Sequence, residues 1–413
     1  YNLKRDKILY FFLLFLEKAF VLVFHFYFIN KIAQEFYGVF SQSNYISGIV
    51  SNILLFGVAI PFVINSASRN KHQDELLRFF KNFSLFVSFI LIILGLIFGN
   101  FFSDLIFGDS SYKVYLFVLG LLIVSDIISE YFNLFNRIRS NLITHSKFIF
   151  FRSLVKIIFL IIPYVIFHDF LLAYLISSIS YILFVIVFSR KSIGTISFNF
   201  INLSYFKNIS VKNLFRDGTN FLTLFLLNTF STLLINLILV NQFNVETLAI
   251  YSFNMMLASV PISILSYITF YSLTDFSNSY NIDKKMSNKI IIKDAGFSLI
   301  TFIIAFSVIY FSYDYIFSKL LNDNYANRNL FIIIFIANLI YMINNFIQFP
   351  ILSEKKYFVI ILIIGISIIL NISYLYLNID GITLLTPVIG LLIANFTTLF
   401  FLTIYKVSLK YVK

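Results

Sequence analysis

Apolar segments of about 20 residues recur along the whole 413-residue chain, and only 12% of its residues are charged. A helix needs about 20 mostly apolar residues to cross a bilayer, because every backbone polar group must be satisfied inside the hydrocarbon. A soluble protein would carry about twice this fraction of charge. The sequence therefore predicts an all-α, polytopic membrane protein.

Twelve segments are long and apolar enough to be predicted as membrane spans. We predict two pseudo-symmetric six-helix bundles around a central cavity, at 1–189 and 214–413, joined by a cytoplasmic linker at 190–213. The predicted spans are 8–29, 37–64, 82–101, 113–135, 147–168, 170–189, 214–240, 246–272, 293–313, 329–350, 357–378 and 385–405.

Polar residues near the start of the chain recur at a single gap-free offset of 211 residues. The repeated unit is a pair of spans with its loop, and internal repeats are the usual architecture of membrane carriers. We therefore predict a transporter, with the repeated residues acting as scaffold at helix ends. The matched positions are Arg5-Asp6, Asn30, Glu35 and Ser41, which recur as Arg216-Asp217, Asn241, Glu246 and Ser252.

The positions of lysine and arginine predict the orientation in the membrane. If both termini are cytoplasmic, 26 of the 31 Lys and Arg residues fall at or near cytoplasmic loops. Such a bias is what the positive-inside rule requires. The net charge of +12 is thus explained by topology, and binding of nucleic acid is not expected. We interpret the first helix as retained, not as a cleaved signal peptide.

The sequence gives no support for an enzyme or for a cofactor site. It has no cysteine, and its four histidines lack the spacing of metal ligands, so no metal site is predicted. It also lacks the G-x-x-x-x-G-K-[ST] phosphate loop. We expect transport to be driven by a gradient, by a partner, or by consumption of the substrate on the far side.

Ionisable residues inside the spans are the candidate functional residues, because a mid-membrane charge costs about 2.5–3.5 kcal/mol on insertion scales. In the fourth span, Asp126, Glu130, Asn133 and Arg137 follow at spacings of four, three and four residues. This spacing places all four on one helical face. For Asp126 and Glu130, charge pairing within the bundle and binding of a coupling ion are both open.

Cations inside the first half form the second group of candidates. Arg152 and Lys156 lie one turn apart in the fifth span, and several donors at this spacing suit a phosphate or pyrophosphate better than one carboxylate. The first span carries the adjacent pair Glu17-Lys18. Neighbouring residues diverge by about 100° around a helix, so at most one of them points into a lumen. We assign Lys18 to the lumen, with pairing to a carboxylate on a neighbouring helix as the alternative.

The second half is neutral where the first is charged, since Asn228 and Thr229 occupy the positions 211 residues after Glu17 and Lys18. Polar stripes in the seventh and tenth spans either line a path for sugar hydroxyls or join helices by hydrogen bonds. These stripes are Asn220, Thr223, Asn228, Ser231, Thr232 and Asn236, and Asn338, Tyr341, Asn345 and Gln348.

The topology and three short motifs resemble the polysaccharide flippases, which are the O-antigen and related oligosaccharide translocases of the multidrug/oligosaccharidyl-lipid/polysaccharide exporter superfamily. The motifs are Glu35-Phe36-Tyr37-Gly38-Val39-Phe40-Ser41 opening the second span, Arg137 and Arg152 on either side of the fourth-to-fifth loop, and Asp169 after the fifth span. The resemblance implies a flippase of the bacterial cytoplasmic (inner) membrane. Such a protein moves an undecaprenyl-pyrophosphate-linked oligosaccharide to the periplasmic leaflet by alternating access, as in lipopolysaccharide biosynthesis.

The resemblance also implies roles for the charged residues, without catalytic residues and without a cofactor. Lys18, Arg152 and Lys156 would attract the pyrophosphate, and Arg137 the glycan or the cytoplasmic gate. Ion coupling or charge pairing is left for Glu17, Asp126 and Glu130. The expected partners are the lipid-linked oligosaccharide and the lipid bilayer, with a polysaccharide polymerase and a chain-length regulator as candidate protein partners.

Two other functions stay open from the sequence. A multidrug cation exporter of the same superfamily would use Asp126 and Glu130 for protons and drug, although cations outnumber acids inside the spans. A membrane oligosaccharide polymerase or ligase is expected to have a long periplasmic loop. The longest outside segment predicted here, 313–328, is short and carries one arginine.

Overall fold

The computed structural model describes residues 2–55, 57, 71–139, 141–193, 209–280, 284–320, 323–354 and 356–411. In these ranges the secondary structure is helical throughout, without a β-strand, which confirms the all-α prediction. The α-helices are α1 (Asn2–Ile29), α2 (Gln34–Leu54), α3 (Lys71–Ile97), α4 (Gly99–Phe107), α5 (Tyr115–Ile138), α6 (Leu142–Phe167), α7 (Phe170–Ile193), α8 (Ile209–Gln242), α9 (Val245–Tyr280), α10 (Lys284–Tyr315), α11 (Arg328–Ser353), α12 (Tyr357–Leu377) and α13 (Thr386–Tyr411).

Eleven of these helices, within the described residues, are long and apolar enough to cross a membrane. They correspond to eleven of the twelve predicted spans. The remaining span, 37–64, coincides with α2 up to Leu54, and its residues 56 and 58–64 lie outside the described residues. Helix α3 begins 11 residues before the predicted span 82–101. Leu77, Phe80 and Lys81, which precede the predicted span, are buried.

The chain divides into two compact units, Tyr1–Leu222 and Thr223–Lys413. The first contains α1 to α7 and the beginning of α8, and the second contains the rest of α8 and α9 to α13. The division falls inside α8, just beyond the predicted linker 190–213. Of that linker, 190–193 belong to α7 and 209–213 to α8, while 194–208 lie outside the described residues. The bounds of the two predicted bundles therefore stay a prediction.

The 211-residue repeat has a structural counterpart. Helices α2 and α9 begin 211 residues apart and carry Glu35 and Glu246 in their first turns, where the helix dipole stabilises negative charge. Asn30 and Asn241 each donate a hydrogen bond to the carbonyl four residues earlier, at 3.0 and 2.8 Å. These pairs lie at helix ends, and the scaffold role of the repeated residues stays a prediction. The side chains of Arg5, Asp6 and Asp217 lie outside the described residues.

Helix packing within the two units follows the same pattern with one exception. In the first unit α5 packs against α2 and α7, and α6 against α7; in the second, α11 packs against α9 and α13, and α12 against α13. Helix α1 also packs closely along α6. In the described residues, α8 has no comparably close packing with α12, so the second unit is more open at the corresponding place.

Helix α5 is the central helix of the first unit. In the segment Ser110–Asn136, which includes most of α5, 67% of the residues are buried, compared with 11% in Ile291–Lys319 of α10. Large apolar side chains such as Val187 and Phe311 are exposed, as lipid contact requires. The polar residues of α5 therefore face protein and not lipid.

A close backbone approach attaches the beginning of α8 to the first unit. Gly57, after α2, has a φ of +63°, and a Cβ placed there would lie 2.0 Å from the carbonyl oxygen of Gly218 in α8. Only glycine tolerates both this backbone conformation and this contact. The first turns of α8 thus belong with α2.

Candidate functional site

Asp126 lies near the middle of α5 and accepts hydrogen bonds from two neighbouring helices. Ser47 of α2 donates to Oδ2 at 2.5 Å, and Tyr181 of α7 donates to Oδ1 at 2.9 Å. The Tyr181 hydroxyl is also 3.0 Å from that of Ser129. Both partners of the carboxylate are neutral hydroxyls, so its charge is not cancelled by a directly bonded cation. A proton or a small cation could take that place.

Lys156 of α6 lies in the same layer of the unit. Its ammonium donates to the side-chain carbonyl of Asn44 in α2 and lies 5.3 Å from the centre of the Tyr181 ring. Asn44 is held by a hydrogen bond of its own to the carbonyl of Phe40, at 2.7 Å. In the described part of the chain the ammonium forms no ion pair. Lys156 is thus a cation bonded to a neutral group.

Glu130 and Arg152 connect α5 to α6. The nearest guanidinium nitrogen of Arg152 is 3.7 Å from Oε1 of Glu130, and Asn133 donates to the same oxygen at 3.2 Å. A direct charge-assisted bond would be about 2.7–2.9 Å long, so this ion pair is loose. Both charged side chains are about a third exposed or less, which leaves them accessible from the surface of the unit.

Glu17 connects α1 to α6, and Lys18 pairs with Glu17 within α1. Lys18 Nζ is 3.2 Å from Oε2 of Glu17, and Ser153 donates to Oε1 at 2.8 Å. Glu17 is 4% exposed, whereas the Lys18 side chain is 28% exposed. The residue that points inward to α6 is therefore Glu17, and the carboxylate partner of Lys18 is its own neighbour.

The structure brings most of the predicted site residues together in the first unit. Two adjacent residues of α6 make these contacts: Ser153 binds Glu17 of α1, and Arg152 pairs with Glu130 of α5. Arg137 lies in α5, but its side chain is outside the described residues. The residues assembled are Glu17, Lys18, Asp126, Glu130, Arg152 and Lys156.

Sequence reasoning missed the neutral residues that hold these charges, namely Asn44, Ser47, Ser153 and Tyr181. For α2 a signal existed, because Asn44, Ser47 and Ser51 are spaced by three and four residues and share a helical face. For Tyr181 a weaker signal existed, because Tyr174, Ser178 and Tyr181 of α7 are spaced by four and three residues and share a helical face.

The motifs behind the family resemblance lie beside this cluster and pack the core. Tyr37 is buried and its hydroxyl lies 2.9 Å from Nδ1 of His25 in α1. Phe40 stacks among aromatic rings, with its centre 5.5 Å from that of Tyr174. Asp169 accepts a hydrogen bond from the backbone of Leu172 at 3.0 Å, which caps the start of α7. These residues fix helix positions.

No family model matches the sequence, and no curated protein matches it either. Solved structures do match. An inward-facing multidrug resistance MATE family transporter of the MOP superfamily aligns over 93% of this chain and 92% of its own, at 12% identity and a TM-score of 0.66. The lipid II flippase MurJ, inward closed, aligns over 97% and 87%, at 15% identity and a TM-score of 0.66.

The chain has the fold of the MOP transporters. A MOP superfamily transporter from Pyrococcus furiosus also aligns over 97% of this chain and 94% of its own, at 10% identity and a TM-score of 0.63. This agrees with the fold that the family resemblance implies. It is shared by a drug transporter and by a lipid-linked flippase, so the fold alone does not choose a substrate.

The electrostatics of this site within the MOP fold are uneven. Lys18 and Arg152 each face a carboxylate, whereas Lys156 and Asp126 are bonded only to neutral groups. An anionic ligand can therefore pair with Lys156, and a proton or cation with Asp126. Among the described residues no group of three or more His, Asp or Glu could hold a metal ion.

Proposed function

We propose that this protein is a flippase for an undecaprenyl-pyrophosphate-linked oligosaccharide, such as an O-antigen repeat unit, in the bacterial inner membrane. The observation that carries the proposal is Lys156, a cation within a membrane-spanning helix whose hydrogen-bond partner is the neutral side chain of Asn44. Such a charge is costly without a counter-ion. Asp126 contributes negative charge from nearby without bonding to the ammonium, and a pyrophosphate oxygen would supply a directly bonded negative charge.

Arg152 supports the same ligand from one turn away. Its ion pair with Glu130 is long, at 3.7 Å, so a better acceptor can compete for the guanidinium. A guanidinium presents several donors in one plane and binds phosphate oxygens in pairs. Lys18, partly exposed beside Glu17, adds a third cation. The role of Arg137 at the glycan or the cytoplasmic gate belongs to the same proposal.

Asp126 is proposed to bind the coupling ion. Its carboxylate and the hydroxyl oxygens of Ser47 and Tyr181 are hard oxygen ligands within one small space, which suits a proton or sodium ion. Neutralising Asp126 would change the electrostatic field at Lys156, since the two charged groups interact across the unit. Ion binding and release of the pyrophosphate would then be linked, as alternating access requires.

The test uses protein reconstituted in liposomes that contain undecaprenyl-pyrophosphate-linked N-acetylglucosamine. The double variant Arg152→Gln/Lys156→Gln should lose at least about 100-fold in transport rate, because each charge-assisted bond contributes about 1.5–3 kcal/mol. Lys113→Gln, at an exposed lysine outside the cluster, is the control and should transport normally. Wild-type rates in the double variant, at equal protein level, would show that the pyrophosphate role is wrong.

A multidrug cation exporter is the second candidate, and two observations favour it. Asp126 lacks a bonded cation, and a multidrug resistance transporter has the same fold. Deleting the gene separates the candidates. Accumulation of a glycosylated lipid in the cytoplasmic leaflet supports the flippase, whereas unchanged glycans with lost drug resistance support the exporter.

A further inference from the structure

A polar cavity lies within the second unit, between α8, α11, α12 and α13. Its free volume is about 20 Å³, which holds about one water molecule or one hydroxyl group. None of the described residues that line it is charged. Its principal polar lining residues are Asn228, Ser231, Tyr341, Asn344, Gln348 and Asn395.

The cavity contains a buried acceptor whose bonding capacity is unused. Asn344 is 2% exposed; its amide nitrogen donates to the carbonyl of Asn395 at 2.9 Å, but its side-chain oxygen has no partner. An unsatisfied buried polar atom costs about 1–3 kcal/mol. A ligand that donates a hydrogen bond to this oxygen would recover that free energy.

The cavity occupies the place in the repeat where the first unit carries charge. Asn228 lies 211 residues after Glu17. Ser367, another lining residue, lies 211 residues after Lys156. Among the described residues, α8 also lacks the close packing with α12 that α1 has with α6. The second unit therefore has an open, neutral counterpart of the charged site.

We infer that this cavity binds a hydroxyl group of a neutral sugar in the lipid-linked substrate, an inference that rests on the proposed function. A phosphate would require cations, which the lining lacks, and a lipid tail would leave the amides unpaired. A sugar hydroxyl both donates and accepts, as amides do. It can replace one bound water while keeping that water's hydrogen bonds.

The first experiment measures how strongly transport depends on the sugar. Reconstituted protein is given undecaprenyl pyrophosphate with and without N-acetylglucosamine, and the ratio of the two rates is recorded. Gln348→Leu and Ser231→Ala should each lower this ratio about two- to tenfold, the equivalent of one hydrogen bond, with the bare lipid moved as before. An unchanged ratio in both variants would overturn the inference.

Asn338→Leu is the matched control on α11. Asn338 is buried and donates to the carbonyl of Ala258 at 3.2 Å, and it does not line the cavity. Its loss should lower both rates in proportion to the amount of folded protein. A selective loss of sugar dependence in this control would also count against the cavity, because it would show that any polar change on α11 has that effect.

A second experiment tests sugar binding at the cavity without measuring transport. It therefore stays informative if the wild-type protein moves neither lipid, a result that would refute the proposed function by itself. The thermal unfolding midpoint of the detergent-solubilised protein is measured with glucose, galactose and N-acetylglucosamine at about 100 mM, since a ligand of the native state raises it. General stabilisation by sugars also occurs in Gln348→Leu and cancels. A rise larger in the wild type than in Gln348→Leu supports the inference. The inference is overturned if, for each of the three sugars, the midpoint rises by the same amount in the wild type and in Gln348→Leu.

Discussion

Corresponding positions of the two units carry opposite kinds of side chain. In the first unit Glu17 is held by α6, and Lys156 is bonded across to α2. In the second, the residues 211 positions later are the neutral Asn228 and Ser367, and Asn371 lies one turn beyond Ser367 in α12. The helices and their packing pattern were kept, while the polar residues between them diverged. Charge is therefore not a property of the repeated scaffold.

The surroundings explain why the charge is found on one side. Lys156 has a carbonyl to donate to, whereas both side-chain atoms of Asn371 are buried without a partner. Gly390 lies against Asn371, and a Cβ there would clash with the side-chain oxygen Oδ1 of Asn371. The second unit holds a neutral amide at this point, and no described residue forms a hydrogen bond with it.

The largest expected effect comes from transferring the charge. Asn371→Lys should destabilise the protein by about 3–5 kcal/mol, because it buries an uncompensated cation, and little folded protein should accumulate in the membrane. Asn371→Met, similar in shape and uncharged, separates the effect of charge from that of size. Equal thermal stability of the two variants would show that the second unit accepts a charge at this position, contrary to the difference drawn between the units.

Asp126→Asn should lower gradient-driven transport about 10–100-fold, the effect of losing one charge-assisted contact, with little change in stability. The amide keeps an oxygen that can accept from Ser47 or Tyr181, so the packing is preserved. Transport is measured in liposomes with and without an imposed proton or sodium gradient. Asp104→Asn, at an exposed carboxylate of α4, should behave as wild type. Undiminished gradient dependence in Asp126→Asn would remove Asp126 from the coupling role.

Tyr181→Phe should lower the free energy of unfolding by about 1.5 kcal/mol, because it removes one of two hydrogen bonds to the Asp126 carboxylate. Thermal unfolding in detergent measures this loss. Tyr164→Phe is the matched control, since that hydroxyl donates to the exposed carbonyl of Lys31 at 2.9 Å and should contribute less. A larger loss of unfolding free energy in Tyr164→Phe than in Tyr181→Phe would mean that the hydrogen bond between Tyr181 and Asp126 contributes little to stability.

The smallest effect is expected for Ser153→Ala, about 1 kcal/mol, because Glu17 keeps its contact with Lys18. Ser146→Ala on the same helix removes a hydrogen bond to the carbonyl of Ile143 and serves as the control. A double-mutant cycle with Glu17→Gln isolates the α1–α6 contact. A coupling energy of zero would contradict the hydrogen bond between Ser153 and Glu17.

Charged members of the site could be found from the sequence because a charge inside an apolar segment is conspicuous. Asp126, Glu130, Arg152 and Lys156 were identified for that reason. Their neutral partners could not be identified in the same way, since serine, asparagine and tyrosine are common in helices and their partners are distant. Ser47 and Asp126 are 79 residues apart, and Asn44 and Lys156 are 112 apart.

The sequence by itself determined the helices, the duplication and the charged candidates, because hydropathy, helical period and an offset of 211 residues are properties of the chain alone. The tertiary structure decided which charge meets which partner. It placed Glu17 and not Lys18 against α6, and it opened a neutral cavity beside Asn228. The physical reason is that burial and hydrogen bonding depend on the rotation and separation of neighbouring helices, which side-chain packing across the whole unit determines.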